Sequence, residues 1–300
     1  MQSVTTNTSP LVSVIIASFN MAEFIEEAII SISEGIYRNV EVIVIDDGST
    51  DNTADVVKAL LGDERIKYIY QENAGQTSAK NHGLGVSSGE LIAFCDADDY
   101  WELNKLELQV PLFDDEDIGI VYSEVSYVDQ NGDRYDKSPP YARFSGEVTE
   151  HLLLKNFVPF GTSVFRRACF TECGGFDERY KMGIDWDLWL RYSLSWKFLY
   201  LSESTYVYRE WEGQMSNNHR GRYESAFVIL RNFEDSYGDR VKNSILRKAW
   251  ADNYVSRGLI FARKEKLFAQ PVKDVLVGLS LNPLSLSAWK GLIKIIIGRA

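Results

Sequence analysis

The sequence predicts an α/β protein: a mainly parallel sheet flanked by helices, followed by a C-terminal helical extension. Three observations predict it. Apolar, β-branched runs alternate with amphipathic helical stretches through the first hundred residues, the signature of strand–helix–strand units. Those runs end abruptly in polar clusters. Past residue 216 only helical periodicity remains.

The elements follow in order. Leu11–Ser18 is β-branched and apolar, a strand. Met21–Ser33 places Phe24, Ile25, Ala28, Ile29 and Ile32 at helical spacing, with Asn20 positioned to cap it. Val40–Ile45 is the second strand, and Asp51–Leu61 is a helix with Val56, Val57 and Leu60 as its apolar stripe. Ile66–Tyr70, Gln76–Val86 and Leu91–Cys95 continue as strand, helix and strand. Asp117–Asp129 reads as a strand entering an Asn131-Gly132 turn, which predicts a hairpin. A polar loop with Pro139-Pro140 follows. Arg166–Cys173 is a short helix stopped by Gly174-Gly175, and Asp185–Ser195 is another helix. Phe198–Leu201 and Tyr206–Tyr208 read as two short strands. Tyr223–Ser236, Asp239–Lys264 and Lys266–Leu279 are helical. A last helix puts Trp289, Leu292, Ile293, Ile296 and Ile297 on one face, with Lys290 and Lys294 elsewhere. The expected domains are a flexible tail (1–10), an α/β domain (11–216) and a helical region (217–300).

Composition narrows the function. A formal charge of −11 argues against non-specific nucleic-acid binding but not against a nucleotide held through a metal. Three cysteines, Cys95, Cys169 and Cys173, make a disulfide framework or a zinc site improbable and point to a reducing, cytoplasmic setting. No run of about 20 apolar residues exists, so no spanning helix is expected. The last helix has two readings: it packs on the α/β domain and shapes one side of its site, or its apolar face and basic residues rest on the cytoplasmic face of an anionic membrane.

The polar clusters carry the chemistry. Ser18-Phe19-Asn20, Asp46-Asp47-Gly48-Ser49 and Asp96-Ala97-Asp98-Asp99 each close an apolar strand. In an open parallel sheet these carboxyl ends share one edge, where such folds bind ligands. Asp96 and Asp98, two apart, point to one side of extended backbone. They repel unless a cation separates them, and oxygen ligands suit a hard divalent ion. Asp47 is suited to accept a hydrogen bond from a nucleobase imide, and Phe19 to stack on the base or to serve as a core aromatic. Ser49, Thr50 and Asp51 serve a ligand or cap the next helix. Asp185 or Asp187 caps its own helix, with Trp186, Trp189 and Leu190 as packing residues, or the pair does chemistry.

Five segments in register, EVIVIDDGSTDNT (41–53), QENAGQTSAKNHGL (71–84), LIAFCDADDYW (91–101), GGFDE (174–178) and GIDWDLWLR (183–191), resemble the family 2 glycosyltransferases over Val12–Ser216. The resemblance implies a GT-A fold, a nucleotide-sugar donor, with UDP as the family's usual carrier, a divalent cation (Mn2+ or Mg2+), and inversion at the anomeric carbon. It implies that Asp47 and Gly48 meet the donor, with Ser18, Phe19 and Asn20 lining the base and ribose pocket. Asp96 and Asp98 become the DXD pair, with Asp99 as an alternative metal ligand to Asp98. Lys80 and Asn81 lie near the donor, Asp185 is the general base, and Trp186, Asp187, Arg209 and Trp211 face the acceptor or the diphosphate. The acceptor is a hydroxyl of a glycan or lipid-linked glycan. Three departures stand out: Ala17 for a proline or threonine, Ile184 for a carboxylate before the base, and Trp211 for a histidine in Tyr208-Arg209-Glu210-Trp211. No QxxRW signature of processive relatives occurs, which favours transfer of one sugar. A catalytically silent nucleotide- or glycan-binding module is the alternative. A nucleotidyltransferase is disfavoured, because Ala17–Ala22 is no glycine-rich phosphate loop.

Overall fold

The computed structural model describes residues 9–138, 141–214 and 218–298; the expected tail up to residue 8, Pro139-Pro140, the 216/217 boundary and Arg299 lie outside them. The chain forms two compact units. The first comprises Met1–Val148, Phe157–Arg179 and Arg191–Gly213, and the second Thr149–Asn156, Tyr180–Leu190 and Gln214–Ala300.

The first unit is built on one mixed sheet. Its strands are β1 (Val12–Ser18), β2 (Val40–Asp47), β3 (Ile66–Gln71), β4 (Leu91–Phe94), β5 (Tyr100–Trp101), β6 (Ile118–Val128), β7 (Arg134–Asp136), β8 (Val164–Arg166) and β9 (Lys197–Arg209). The order is β3-β2-β1-β4-β8-β6-β9-β5, with β7 added to β6. The first four strands pair in parallel. Residues Val12, Val14, Ile16, Val42, Val44 and Ala93 send one face into a core shared with Ile25, Ala28, Ile29 and Ile32 of helix α1 (Ile25–Ser33). Helices α2 (Thr53–Ala59) and α3 (Gln76–Val86) make the other crossovers. Gly83 of α3 is required by packing, because a Cβ there would collide with the Ile15 side chain. The predicted hairpin forms, with Gly132 at φ +85.

Two expectations change. Asn20 does not cap α1, which begins at Ile25 after a turn in which the Phe24 and Ile25 amides bond to the Met21 carbonyl. Asn20 itself has φ +54 and serves another loop. The two short strands expected after residue 197 are one strand, β9. The polar stretch between them stays in the sheet because it finds partners on β6: Ser204 takes a hydrogen bond from Ser126 at 2.9 Å, and Thr205 pairs with Ser123 at 2.7 Å. Register shifts around Glu124 absorb the irregularity.

The second unit is helical: α5 (Thr149–Leu154), most of α7 (Ile184–Tyr192), α8 (His219–Tyr237), α9 (Asn243–Lys264), α10 (Ala269–Leu281) and α11 (Leu286–Ile296). Helices α4 (Lys105–Gln109) and α6 (Arg167–Cys173) belong to the first unit. Glycines set the close approach of α9, α10 and α11. A Cβ on Gly278 would meet Val255, and one on Gly291 would meet Leu259.

A buried carboxylate locks the sheet at the start of β2. Glu41 accepts hydrogen bonds from the Ser13 hydroxyl (2.6 Å), the Ser88 amide (2.7 Å) and hydroxyl (2.8 Å), and the Lys67 ammonium (2.6 Å). Burial works to lift its pKa above the ordinary 4.5; Lys67, Ser13 and Ser88 reverse that and hold it at about 2. A depressed carboxylate contributes stability above its unfolded pKa and loses it as pH falls toward the folded one. Glu41→Gln is therefore expected to cost about 2 kcal/mol at pH 7. The difference from the parent shrinks between pH 4.5 and 2, as urea midpoints across that range would show.

Candidate functional site

Three polar strand ends meet on one rim of the first unit. After β1, Ser18 is buried with its Oγ unpartnered among the described residues, while Phe19 is 44% exposed. The left-handed turn at Asn20 lets its backbone amide donate to Ser49 Oγ (2.9 Å), while its Oδ1 accepts from the Thr50 amide (2.7 Å). Met21 and Ala22 amides donate to Thr53 Oγ1 and Asp51 Oδ2 at 3.0 and 3.1 Å. The loops after β1 and β2 are thus stitched into one ledge. An open cleft of about 420 Å3 borders it, lined by Asn20, Phe24, Asp51 and Trp211 among others.

Asp47 is buried under that ledge. Its Oδ1 accepts from Gln71 Nε2 (2.7 Å) and the Ala74 amide (2.9 Å), and its Oδ2 from the Gly75 amide (2.8 Å). A carboxylate offers about four acceptor positions, so one stays open for a ligand donor. Gly48 has φ +79, and a Cβ there would meet the Asn73 backbone nitrogen at 2.8 Å. Only glycine lets this loop lie so close. Asp46 is bound by the Ser49 amide (2.9 Å) and the Tyr68 hydroxyl (2.6 Å).

The acidic turn after β4 separates its three carboxylates by environment. Asp96 is half-buried and receives Lys80 Nζ on Oδ1 at 2.9 Å. Lys80 is almost wholly buried, with its ammonium 4.3 Å from the centre of the Phe160 ring. Asp98 accepts Trp211 Nε1 on Oδ2 at 2.8 Å. Burial pushes the Asp98 carboxyl up, the Asp96 charge adds to that, and the indole opposes it. Asp99 is 2% exposed. Its Oδ2 accepts from Tyr206 Oη (2.7 Å) and its Oδ1 from the Arg209 amide (2.8 Å). Burial, then Asp98 and Asp96, drive its carboxyl well above the carboxylate range. Tyr206 Oη also accepts from the Asp96 amide at 3.3 Å, so one phenol ties both ends of the turn.

Arg209 and Trp211 close the rim from the end of β9. Arg209 Nε donates to the Asp98 carbonyl at 3.0 Å, and its guanidinium pairs with Glu27 and lies 5.1 Å from the Phe24 ring centre. Trp211 packs on Phe24, with ring centroids 5.3 Å apart. Asn81 turns away from the acidic turn. It donates to the Phe176 carbonyl (2.9 Å) and Glu178 (3.1 Å), and its Oδ1 accepts from the Phe176 amide (2.8 Å). That anchors the Gly174–Glu178 segment.

Asp185, Trp186 and Asp187 lie in the second unit, at the start of α7. Asp185 is half-buried, and its Oδ2 accepts from Asn156 Nδ2 at 2.7 Å. Trp186 is buried and donates Nε1 to the Leu152 carbonyl at 2.7 Å, so it packs as well as flanks. Asp187 is 9% exposed.

Sequence reasoning missed Tyr206, Glu27, Phe24 and Asn156. None carries a local signal, because each is recruited by long-range pairing; Asn156 stands 29 residues before Asp185.

Among the described residues, no three acidic, histidine or cysteine side chains converge into a closed metal cage. The donor set nonetheless fits a hard divalent cation shared with a ligand. Asp96 and Asp98 stand two residues apart on one turn; burial, then the Asp96 charge, raises the Asp98 carboxyl, and among the described side chains Lys80 reaches Asp96 on Oδ1 and Trp211 reaches Asp98 on Oδ2. Asp99 has both oxygens occupied and serves the turn from inside.

The family model described as "Glycosyl transferase family 2" matches residues 13–173. An uncharacterised glycosyltransferase of Rickettsia typhi is 35% identical over 190 residues, 61% of this chain and 59% of that protein. A putative teichuronic acid biosynthesis glycosyltransferase of Bacillus subtilis, TuaG, is 37% identical over 134 residues, 44% of this chain and 53% of its own length. The matches thus span less than two thirds of these relatives. Among solved structures, S. aureus TarS 1–349 in complex with UDP-GlcNAc superposes with TM-score 0.71 at 20% identity, covering 96% of this chain and 89% of that one. The mannosyltransferase PcManGT of Pyrobaculum calidifontis, in complex with GDP-Man and Mn2+, gives 0.63 at 19% identity, covering 98% and 86%. These likenesses show the GT-A fold.

Gly161 lies against the Tyr206 ring, and a Cβ there would occupy the place of the phenol. Gly161→Ala should expel Tyr206 from Asp99 and cost about 3 kcal/mol in urea unfolding. Tyr206→Phe, which keeps the ring, should cost about half that.

Proposed function

The chain belongs to glycosyl transferase family 2, and from that premise we propose that it transfers a single sugar from a nucleotide diphosphate sugar, UDP-linked by preference, to a glycan or lipid-linked glycan hydroxyl with inversion. The observation that carries this reading is the Asp96–Asp98 pair: two ligand-ready carboxylates at a sheet rim, with Lys80 beside them. TarS, whose fold the chain shares, binds UDP-GlcNAc, and TuaG is named for teichuronic acid synthesis.

In this reading the ledge of Ser18, Phe19, Asn20 and Asp47 takes the base and ribose. Phe19 offers an exposed ring for stacking, and the open acceptor position of Asp47 suits a base N–H. Asp96 and Asp98 hold Mn2+ or Mg2+. When bound, the ion supplies Lewis-acid neutralisation of the departing diphosphate. Lys80, buried and paired with Asp96, brings its side-chain nitrogen to the same region. Trp211 replaces a ligating histidine with a donor: its indole fixes the orientation of Asp98, so the remaining oxygen of that carboxylate is presented in one direction. Arg209 grips the turn backbone and keeps the three carboxylates together.

Asp185 takes the proton of the acceptor hydroxyl as that oxygen attacks the anomeric carbon from the face opposite the diphosphate. A carboxylate is a weak base, which suffices when the proton leaves late, after the oxygen has begun to bond. Asn156 donates to Oδ2 of Asp185 and so fixes the plane of that carboxylate. Because Asp185 can only accept, the Asn156 amide must turn its NH2 toward it. Oδ1 of Asn156 is then buried without a described partner.

A panel of UDP- and GDP-sugars assayed with Mn2+ for released nucleotide tests the reaction class. Donor binding without release from any sugar, across acceptors, would make the protein a binding module instead. Asp185→Asn should lower kcat by at least about a thousandfold with donor affinity unchanged; normal turnover in that variant would remove Asp185 from the base role. Trp211→Phe should raise the donor KM about tenfold with a small effect on kcat, since only the orientation of Asp98 is lost.

A further inference from the structure

Helix α11 is apolar on more sides than the protein covers. Its inner face, Ala288, Gly291, Leu292 and Ile295, is buried against Val255, Leu259, Val275 and Leu279 of α9 and α10. Leu292 therefore leaves the outward group expected from the sequence. On the outer side Leu286 is 74% exposed, Ile293 57%, Ile296 59% and Trp289 49%. Their i, i+3, i+7 and i+10 spacing makes one continuous stripe, which Leu284 extends into the preceding turn. Single exposed apolar residues are ordinary; a whole stripe on a short helix is not.

Charge says what covers it. The protein as a whole carries −11, yet Val275–Ala300 contains Lys290, Lys294 and Arg299 and no acidic side chain. Lys290 and Lys294 are exposed and border the stripe on one side. Trp289 donates Nε1 to the Pro283 carbonyl at 2.9 Å, so its ring can enter an apolar medium without an unpaired N–H. Eleven residues are too few to cross a bilayer, and no helix among the described residues is long and apolar enough to do so. An apolar stripe, an aromatic and a purely basic margin on a short helix are the make-up that suits a membrane interface, where lysines reach the headgroups.

We propose that the outer face of α11 docks this protein onto an anionic lipid surface. The proposal stands apart from the sugar-transfer reading, because neither donor nor acceptor enters it.

Vesicle flotation of the full chain tests it, with phosphatidylglycerol/phosphatidylcholine vesicles against phosphatidylcholine alone. The parent is expected to float with the anionic vesicles and to be released as salt rises. Replacing Ile293→Asp and Ile296→Asp together should weaken partitioning at least about tenfold. Both positions are exposed, so melting temperature should hold; circular dichroism checks it. Lys290→Glu with Lys294→Glu, which leaves the stripe intact, should erase the preference for the anionic vesicles. Two results would overturn the proposal: a parent that floats no better than the Asp variant, or a concentration-dependent dimer, abolished by Ile293→Asp, in a protein that ignores vesicles. The latter would make the stripe a contact between two copies.

Discussion

Three carboxylates within four residues, drawn partly or wholly out of solvent at a sheet rim, each need a partner of their own, and the turn after β4 is arranged around that constraint. Burial, and after it the neighbouring like charge, raises the Asp98 and Asp99 carboxyls. The protein resolves the conflict by giving each a different neighbour. Asp96 keeps a lysine, Asp98 keeps an indole, and Asp99 is taken inside by a phenol and a backbone amide. Among the described residues, two of the three meet a side-chain donor at one oxygen only. The turn is thus half scaffold and half ligand site, and the division falls between neighbouring residues of identical type.

The same distinction recurs across the sheet. Glu41, Asp46 and Asp47 are all buried, and all accept several hydrogen bonds. Glu41 and Asp46 act as struts, holding strands and turns in place. Asp47 is a strut with an acceptor position left over. A cluster of acids in a sequence marks where the polar chemistry of a fold is concentrated. It does not say which members are satisfied from within.

That limit sets how much was legible in advance. The parallel half of the sheet could be read directly, because β1, β2 and β4 are dense apolar runs whose polar ends coincide with the rim. The hairpin followed from Asn131-Gly132, and the stop of α6 from Gly174. The local capping rule assigns Asn20 to the next helix, whereas its real partners, Ser49 and Thr50, are 29 and 30 residues away. Strand β9 was split in two because Ser202–Thr205 is polar, and only pairing with β6 makes those residues at home in a sheet. Among the candidate residues, Asp96, Asp98 and Lys80 of the first unit stand at motif positions, as Asp185 does in the second. Tyr206 and Asn156, which hold Asp99 and Asp185, had no motif to announce them, since a single hydrogen bond across the fold leaves no periodicity behind.

The indole beside Asp98 has a consequence for how the protein meets changes in acidity. An imidazole in that place gains and loses a proton near neutrality, and would alternate between donor and acceptor as conditions drift. Trp211 has no such choice: its N–H is a donor throughout the physiological range. Trp211 thus offers Asp98 a donor that does not come and go with acidity as a histidine's would.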